Sequence, residues 1–257
     1  MKSIIAINLL ILLLSSCTQF KSDDYKELNL KGKVKSVKSK KFEAEEKFGE
    51  VQRSYPTDAD ENNELDMLSN SLIEFDELGK SVAISNFYRN GSLLSKMVVD
   101  GLNINMYDEE GNLTGVLKSD EEHFPKEVNI YDASGELIEK SKYTYNDEKL
   151  LVEEQTYDEK GTLIRKEVHE YISDLLSRKT ISERKVYYSS YGDMYEIEKS
   201  YKYNDNKDVT EQEVTKRGNV TTYTFEYEYD DKNNWIKRIQ YRNNKPKAIV
   251  EREIVYY

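Results

Sequence analysis

Residues 131–137 read YDASGEL, and the same phrase occurs at 107–113 as YDEEGNL and at 157–163 as YDEKGTL. Each copy consists of an aromatic residue, an aspartate, two variable residues, a glycine, one further residue and an aliphatic residue. The starting positions 107, 131 and 157 are almost evenly spaced. Self-similarity at a fixed period is typical of chains built from repeated supersecondary units. The phrase therefore predicts a repeat protein.

Weaker copies extend the repeat towards both ends of the chain. Residues 75–81 read FDELGKS, a variant that lacks the aliphatic residue. Residues 203–205 and 229–235 are degenerate copies in which Asn or Lys replaces the glycine. The last of these starts at position 229, three such intervals beyond the copy that starts at 157. The period therefore persists through the degenerate stretch.

The physical chemistry of the phrase is that of a β-hairpin. The aromatic residue ends a strand on a half-buried pleated surface, and the aspartate carboxylate accepts a backbone N–H two residues on. The glycine takes the positive φ that closes a short hairpin loop, and the aliphatic residue starts the return strand. The predicted turn residues are Asp76, Gly79, Asp108, Gly111, Asp132, Gly135, Asp158 and Gly161.

The hairpin arms alternate as strands do. Aromatic residues occupy alternate positions of 223–229, with Thr224, Glu226 and Glu228 between them. Helical periodicity is weak, and in its best stretch, residues 43–51, two strands joined by a turn are an equally good interpretation. We predict an all-β protein of roughly a dozen antiparallel strands. Consecutive β-hairpins would form an elongated, twisted sheet or open repeat spiral.

Composition excludes several classes of protein. The chain is strongly polar, with 38 Lys+Arg, 49 Asp+Glu and a mean hydropathy of -0.81. Its 11 Gly and 3 Pro are too few for a collagen-like chain. The 21 Tyr and 7 Phe argue against disorder. The net charge of -11 argues against nucleic acid as a partner, because phosphates require a concentrated basic face. A single cysteine excludes an internal disulfide framework.

The N-terminal residues explain that cysteine. Residues 1–16 have a positive Lys2, an apolar run and small residues at the end, which is the pattern of a secretory signal peptide. The sequence LSSC at 14–17 resembles a bacterial lipobox. The resemblance implies that the mature protein begins at Cys17, carrying a thioether diacylglycerol and an N-acyl chain. The alternative is an ordinary secretion signal followed by a free cysteine.

The predicted organisation is a signal peptide over 1–16, a lipidated cysteine and polar tether over 17–30, and a repeat domain over 31–257. Removing Lys2 leaves the mature chain at -12 (-11 minus 1), so it should stand off anionic headgroups on its tether. We expect an outer-membrane lipoprotein of the cell envelope, facing either the periplasm or the cell surface.

The turn phrase resembles the tyrosine–aspartate (YD) repeats of Rhs-type proteins, in the degenerate form found on small bacterial lipoproteins. The resemblance covers about residues 30 to 257, including the opening 30–37 and the closing segments 234–238 and 251–254. In large Rhs and toxin-complex proteins, similar strips wind into a shell around a toxic cargo domain. We expect no cargo domain here, and a repeat domain of this length is too short for such a shell, so that function is not carried over.

Candidate chemistry is sparse. His123 lies in an acidic loop and His169 on a predicted strand, where a role on the sheet surface is the default. The turn aspartates resemble a calcium ladder, but each has a local role as a turn acceptor, and a calcium loop needs several converging oxygen ligands. No nucleophile, phosphate-loop or dinucleotide motif is present. We therefore expect no catalytic residues, no metal and no cofactor.

The 21 tyrosines have two interpretations. In the first, they cover a thin sheet without a thick core, because each has an apolar ring and a hydroxyl that can stay in water. In the second, they form a platform that recognises a glycan or peptide. The leading hypothesis is a non-enzymatic, lipid-anchored envelope protein that presents an extended surface for binding or scaffolding. Its partners would be the membrane, through Cys17, and an envelope protein or glycan. The alternative is a carrier or chaperone for a lipophilic cargo, which predicts one strongly aliphatic strand face. An enzyme ranks third.

Overall fold

The structure, a computed structural model, describes residues 28–58, 68–120, 124–187 and 190–257, and the side chains of 185–191 are also left out of the description. Cys17, the signal peptide, the tether up to residue 27 and His123 lie outside the described residues. The strands are β1 (Val34–Lys47), β2 (Glu50–Pro56), β3 (Ser71–Phe75), β4 (Ser81–Phe87), β5 (Leu93–Asp100), β6 (Asn103–Asp108), β7 (Leu113–Ser119), β8 (Glu127–Asp132), β9 (Leu137–Tyr145), β10 (Leu151–Asp158), β11 (Leu163–Ile172), β12 (Leu175–Tyr187), β13 (Ser190–Tyr203), β14 (Val209–Lys216), β15 (Asn219–Tyr229), β16 (Trp235–Arg242) and β17 (Lys245–Tyr256).

The all-β prediction is confirmed for the described residues, with more strands than the expected dozen. Every pairing is antiparallel and joins neighbours in the chain, apart from the contacts of β1. Residues 43–51, whose interpretation was open, form the end of β1 and the start of β2. The described part of the chain contains no helix that is long and apolar enough to cross a membrane.

The expectation of an open spiral is wrong, because the sheet closes into a barrel. β1 pairs with β17 over Val34–Glu43, and on its other edge it pairs with β3 over Ser36–Lys38. Sixteen strands, β1 and β3–β17, therefore form one ring. An open spiral would leave two edge strands with unpaired backbone groups, and closure removes both.

β2 is an extra strand outside the ring. It returns from β1 through a tight turn at Phe48 and Gly49, both with positive φ, and pairs with the end of β1 from Phe42 to Lys47. β3 pairs with the beginning of the same edge of β1, so β2 extends the wall at the far end of β1.

The two halves of the ring differ in what their inner face buries. An apolar cluster runs along the inner face of the first half and includes Val37, Ile73, Ile84, Leu117 and Ile130, each 3% exposed or less. Around the ring from β9 to β12 the buried inner positions are instead largely polar and charged. The cluster gives the barrel a true core, which the thin sheet expected from the sequence would lack.

One end of the barrel is covered by the segment that precedes β1. Asn29 Nδ2 donates to the carbonyl of Asn206 at 2.7 Å and to Asp208 Oδ1 at 2.8 Å, in the turn between β13 and β14. Lys31 exchanges hydrogen bonds with the side chain of Asn234, in the turn between β15 and β16. Leu30 packs into the apolar cluster. We call this the closed end, and the opposite end the mouth.

Candidate functional site: the inner wall and the mouth

The predicted turn residues lie in separate turns that share one geometry. In the copy at 132–136, Asp132 N–H donates to the carbonyl of Glu136 at 2.9 Å, and Gly135 N–H donates to the carbonyl of Asp132 at 3.0 Å. Asp132 Oδ1 accepts the backbone N–H groups of Ser134 and Glu136 at 2.9 and 3.0 Å. The same contacts recur at Asp76, Asp108 and Asp158, with φ between +80° and +87° at Gly79, Gly111, Gly135 and Gly161.

These turns are not brought together into one site. The turn of Asp76 lies at the closed end, whereas those of Asp108, Asp132 and Asp158 lie around the mouth, each between a different pair of strands. Hydrogen bonds donated by neighbouring groups lower the pKa values of Asp108 and Asp132. Among the described residues, no three His, Cys, Asp or Glu side chains converge as metal ligands do.

The degenerate copies form the same turn with other residues. Asn204 and Asp230 act as the side-chain acceptors. Lys207 and Asn233 occupy the glycine position with φ of +67° and +61°. A further turn of this kind, centred on Asn146 and with Lys149 at φ +66°, was not predicted, because neither its acceptor nor its positive-φ residue matches the phrase.

Several tyrosines connect strands at the closed end. The hydroxyls of Tyr171, Tyr203 and Tyr227 donate to backbone carbonyls at 2.6–2.9 Å. The accepting residues, at or next to the starts of neighbouring strands, are Leu151, Leu176 and Val209. An apolar ring with a hydrogen-bonding tip suits a position where the buried wall meets solvent. These tyrosines therefore have a structural role.

His169 does not have the sheet-surface role expected from the sequence, because its strand face points into the barrel. The residue is 8% exposed, and its Nε2 lies 3.1 Å from Glu167 Oε2. The same carboxylate contacts Lys179 Nζ at 3.1 Å and forms an ion pair with Arg165. Glu167 itself is fully buried. A buried carboxylate of this kind is stable only with such partners.

The polar network continues towards the mouth. Arg165 Nη1 contacts Glu183 Oε2 at 3.2 Å, and the hydroxyl of Tyr195 donates to the other oxygen of Glu183. Burial opposes ionisation of Glu167, but Lys179 and Arg165, together with the hydrogen bond from His169, hold its pKa well below the usual range. Glu167 is therefore the ionised centre of the network.

Two neighbouring glutamates, Glu154 and Glu139, favour the neutral form instead. Burial, followed by the charge of Glu167, raises the pKa of Glu154 to about 8, and burial raises the pKa of Glu139 to about 7. Glu154 is 2% exposed, and its Oε2 has no hydrogen-bond partner among the described residues. The inner wall thus holds carboxyl groups that favour the neutral form.

On the other side of the barrel, two arginines share one tryptophan. The guanidinium of Arg252 lies 3.4 Å from the centre of the Trp235 ring, and that of Arg238 lies 5.3 Å from it. Nε and Nη1 of Arg252 are buried and have no hydrogen-bond partner among the described residues. Burial and the charge of Arg238 lower the pKa of Arg252 to about 9.

A cavity of about 330 Å³ opens at the mouth between β14 and β15, lined by Val214, Lys216, Arg217, Asn219, Thr221 and Tyr223. Lys216 and Arg217 lie over the ring of Tyr195, at 4.9 and 5.2 Å from its centre. Tyr195 is also the end of the polar network that starts at Glu167. The polar network therefore ends beside two of the side chains that line the cavity.

Sequence reasoning missed the inner network and the mouth. In the strand sequence LIRKEVHEYI of β11, charged residues occupy both parities, so the pattern does not indicate which ones face inward. Lys216 ends β14, and Arg217 forms the following turn with Gly218. In sequence, the two cations are indistinguishable from those of an ordinary solvated hairpin.

The sequence matches no protein-family model and no curated protein. Among solved structures, the chain is similar to a porin-like protein from Bacteroides uniformis ATCC 8492, with a TM-score of 0.54 and 12% identity over 86% of this chain and 96% of that one. Two structures of TcdB2-TccC3, one with Cdc42 and one with TEV, match 80% and 83% of this chain and 14% and 11% of theirs, at 13% and 16% identity and a TM-score of 0.30. A TM-score of 0.54 shows a shared fold, and one of 0.30 does not.

Proposed function

We propose that the chain is a non-enzymatic, lipid-anchored barrel of the bacterial cell envelope that presents its surface for binding. The observation that carries this proposal is the charge on the outer face of the barrel wall. The porin-like protein of similar fold supports an envelope location, while the outer wall argues for attachment through a lipid.

The outer wall is built for contact with water. Lysine and glutamate side chains on neighbouring strands pair across it at 2.6–3.1 Å, in the pairs Lys140–Glu127, Lys166–Glu153, Lys202–Glu211 and Lys237–Glu228. Lipid-facing barrel walls carry an apolar band of roughly 25 Å instead. A barrel with this wall needs a separate attachment to a membrane, and the lipobox-like sequence ending at Cys17 is suited to supply it.

The closed end is where a lipid anchor on Cys17 would join the barrel. The described chain begins at Leu28, immediately before the segment that covers the closed end. A chain running from Cys17 to Leu28 can span at most about 40 Å, even if fully extended. A lipid on Cys17 would therefore attach the barrel to the membrane from its closed end, with at most about 40 Å of chain between them.

The alternative of a lipophilic carrier receives less support. Its predicted aliphatic face is present on the first half of the ring, but those side chains are already packed against one another and largely closed off from solvent. Two of the six side chains that line the cavity at the mouth, Lys216 and Arg217, are cations, and a purely apolar ligand would leave both charges without a partner. Catalysis is also less well supported, because the best-placed acids, Glu154 and Glu167, are buried.

The anchor is tested by expressing the full precursor and Cys17→Ser in a Gram-negative host, with and without globomycin, and separating membrane from soluble fractions. We expect the native protein in the membrane fraction, an unprocessed precursor in globomycin, and loss of mature membrane-bound protein for Cys17→Ser. Ser22→Ala, in the tether, is the matched control and should behave as the native protein does. Membrane-bound, processed Cys17→Ser would disprove the anchor.

A further inference from the structure

From Tyr195 onward, the strands β13–β17 carry cations on both faces of the wall but acids on the outer face alone. The register places Tyr201, Gln212, Tyr223 and Arg242 side by side on the inner face, and Tyr227, Arg238 and Val250 likewise. From Tyr195 onward, the inner face of these strands carries Lys199, Lys216, Arg238, Arg242 and Arg252 and no acidic residue. The acids of the same strands occupy the outer face: Glu196, Glu198, Glu211, Glu213, Glu226, Glu228, Glu251 and Glu253.

Such a distribution is unexpected in a chain of net charge -11. Burying Lys199, Arg238 and part of the Arg252 guanidinium inside the wall also costs solvation energy. For Arg252 the cost is visible in the contacts. Two of its guanidinium nitrogens are buried without a hydrogen-bond partner among the described residues. Asp208, the acid whose charge acts on Arg252, is already bonded to Asn29 and Tyr229. An anion inside the barrel would supply the missing acceptors.

The mouth offers an entrance to this face. Neither Lys216 nor Arg217 forms an ion pair with a described acidic residue. Glu183, the acid of the inner network that contacts Tyr195, is also engaged with Arg165. The other side chains that line the cavity add neutral hydrogen-bonding groups and an aromatic ring: Asn219, Thr221 and Tyr223. The volume of about 330 Å³ lies at the lower end of the range for small-ligand sites, roughly 300–1,000 Å³.

We propose that the cationic, tyrosine-rich inner face of β13–β17, entered through the cavity at the mouth, binds an acidic oligosaccharide. Carboxylate or sulfate groups of the sugar pair with Lys216 and Arg217, which donate charge-assisted hydrogen bonds. Sugar hydroxyls bond to Asn219 and Thr221, and the apolar side of a sugar ring packs on Tyr223. This inference rests on the proposed binding function and specifies its ligand.

The test is calorimetric titration of the detergent-solubilised mature protein with three probes: trigalacturonate, which is carboxylated, a heparin disaccharide, which is sulfated, and neutral maltotriose. We expect at least one acidic sugar to bind, with an affinity that falls as salt rises, and maltotriose not to bind. The double variant Lys216→Gln, Arg217→Gln should weaken binding at least about tenfold, because it removes both charged hydrogen-bond donors from the cavity.

The matched control is Lys202→Gln, Lys237→Gln, which removes the same charge from the outer face of the same strands and should change the affinity less than about twofold. Both positions of the mouth variant are exposed, and an unchanged urea midpoint checks that it folds. Equal binding of maltotriose, no binding of either acidic sugar, or equal effects of the two double variants would overturn the proposal. Membrane attachment through Cys17 is measured in a separate experiment. Failure of the ligand proposal therefore does not contradict the lipid anchor, and failure of the lipid anchor does not contradict the ligand proposal.

Discussion

Val37 on β1 lies opposite Ile254 on β17, and on its other edge it lies opposite Ile73 on β3. This one residue therefore sits where the first and last strands of the ring meet. It is 1% exposed and belongs to the apolar cluster. The closure of the barrel depends on packing at this seam, because backbone pairing alone provides no preference for one register over another.

The seam is tested by Val37→Ala. Removing two buried methyl groups should lower the free energy of unfolding by about 2 kcal/mol, through lost burial and a residual cavity. Urea denaturation measures the change. Val255→Ala, on the exposed face of β17, is the control and should change stability by less than about 0.5 kcal/mol. Equal midpoints for the two variants would show that the seam does not support closure.

The turn glycine is tested at Gly135, where φ is +87°. Gly135→Val should destabilise the protein by roughly 1–2 kcal/mol through backbone strain alone, because a Cβ there would meet no atom within 4 Å. Gly135→Asn should cost less, since asparagine tolerates this conformation and Asn233 adopts it in another turn of the same type. Thermal unfolding ranks the three proteins, and a valine variant as stable as the asparagine variant would contradict the assigned turn.

The turn carboxylate is tested at Asp158, which is 5% exposed. Its Oδ1 accepts the N–H groups of Lys160 and Thr162 at 3.0 and 2.7 Å. Asp158→Ala should destabilise by about 1–2 kcal/mol because two donors lose their acceptor. Asp158→Asn retains the acceptor oxygen, as Asn204 does in its own turn, and should recover most of the loss. Chemical denaturation of both variants distinguishes this role from a purely electrostatic one, for which asparagine would be as damaging as alanine.

The buried acids predict a pH dependence of stability. Glu139 and Glu154 have folded-state pKa values of about 7 and 8, above the ordinary value of 4.5. Between pH 4.5 and 8 the unfolded chain therefore holds fewer protons at these groups than the folded chain does. Their contribution must favour folding most at low pH and be lost as pH rises through this window. Glu167, with its lowered pKa, contributes in the opposite sense at pH below 4.5.

Glu154→Gln isolates this effect. Glutamine stays neutral, so the variant should gain stability relative to the native protein as pH rises from 5 to 8, by about 1–3 kcal/mol at the upper end. Urea midpoints across that range provide the measurement. Glu153→Gln, on the outer face of the same strand, is the control and should leave the slope unchanged. Parallel pH profiles for Glu154→Gln and the native protein would mean that Glu154 is ionised throughout.

The hairpins can be predicted from the sequence because they depend on local chemistry. An aspartate that accepts N–H groups two and four positions on, and a residue with positive φ three positions on, all lie within a single turn. The phrase therefore predicts them without knowledge of the rest of the chain. Alternation in 223–229 is local in the same way. The turn at Asn146 was missed because several residue types satisfy the same backbone requirement.

The closure of the sheet into a barrel, and which residues face its interior, could be seen only in the tertiary structure. Val37 and Ile254 lie near opposite ends of the chain, and whether they meet depends on the accumulated twist of all the strands between them, which no local pattern records. Glu167 and Glu170 lie on one strand and differ only in parity, yet one is buried among cations and the other faces water. The sequence by itself determined the strands and their turns. Ring closure decided which side of each strand faces inward, because a sheet has an inner face only when its last strand pairs with its first.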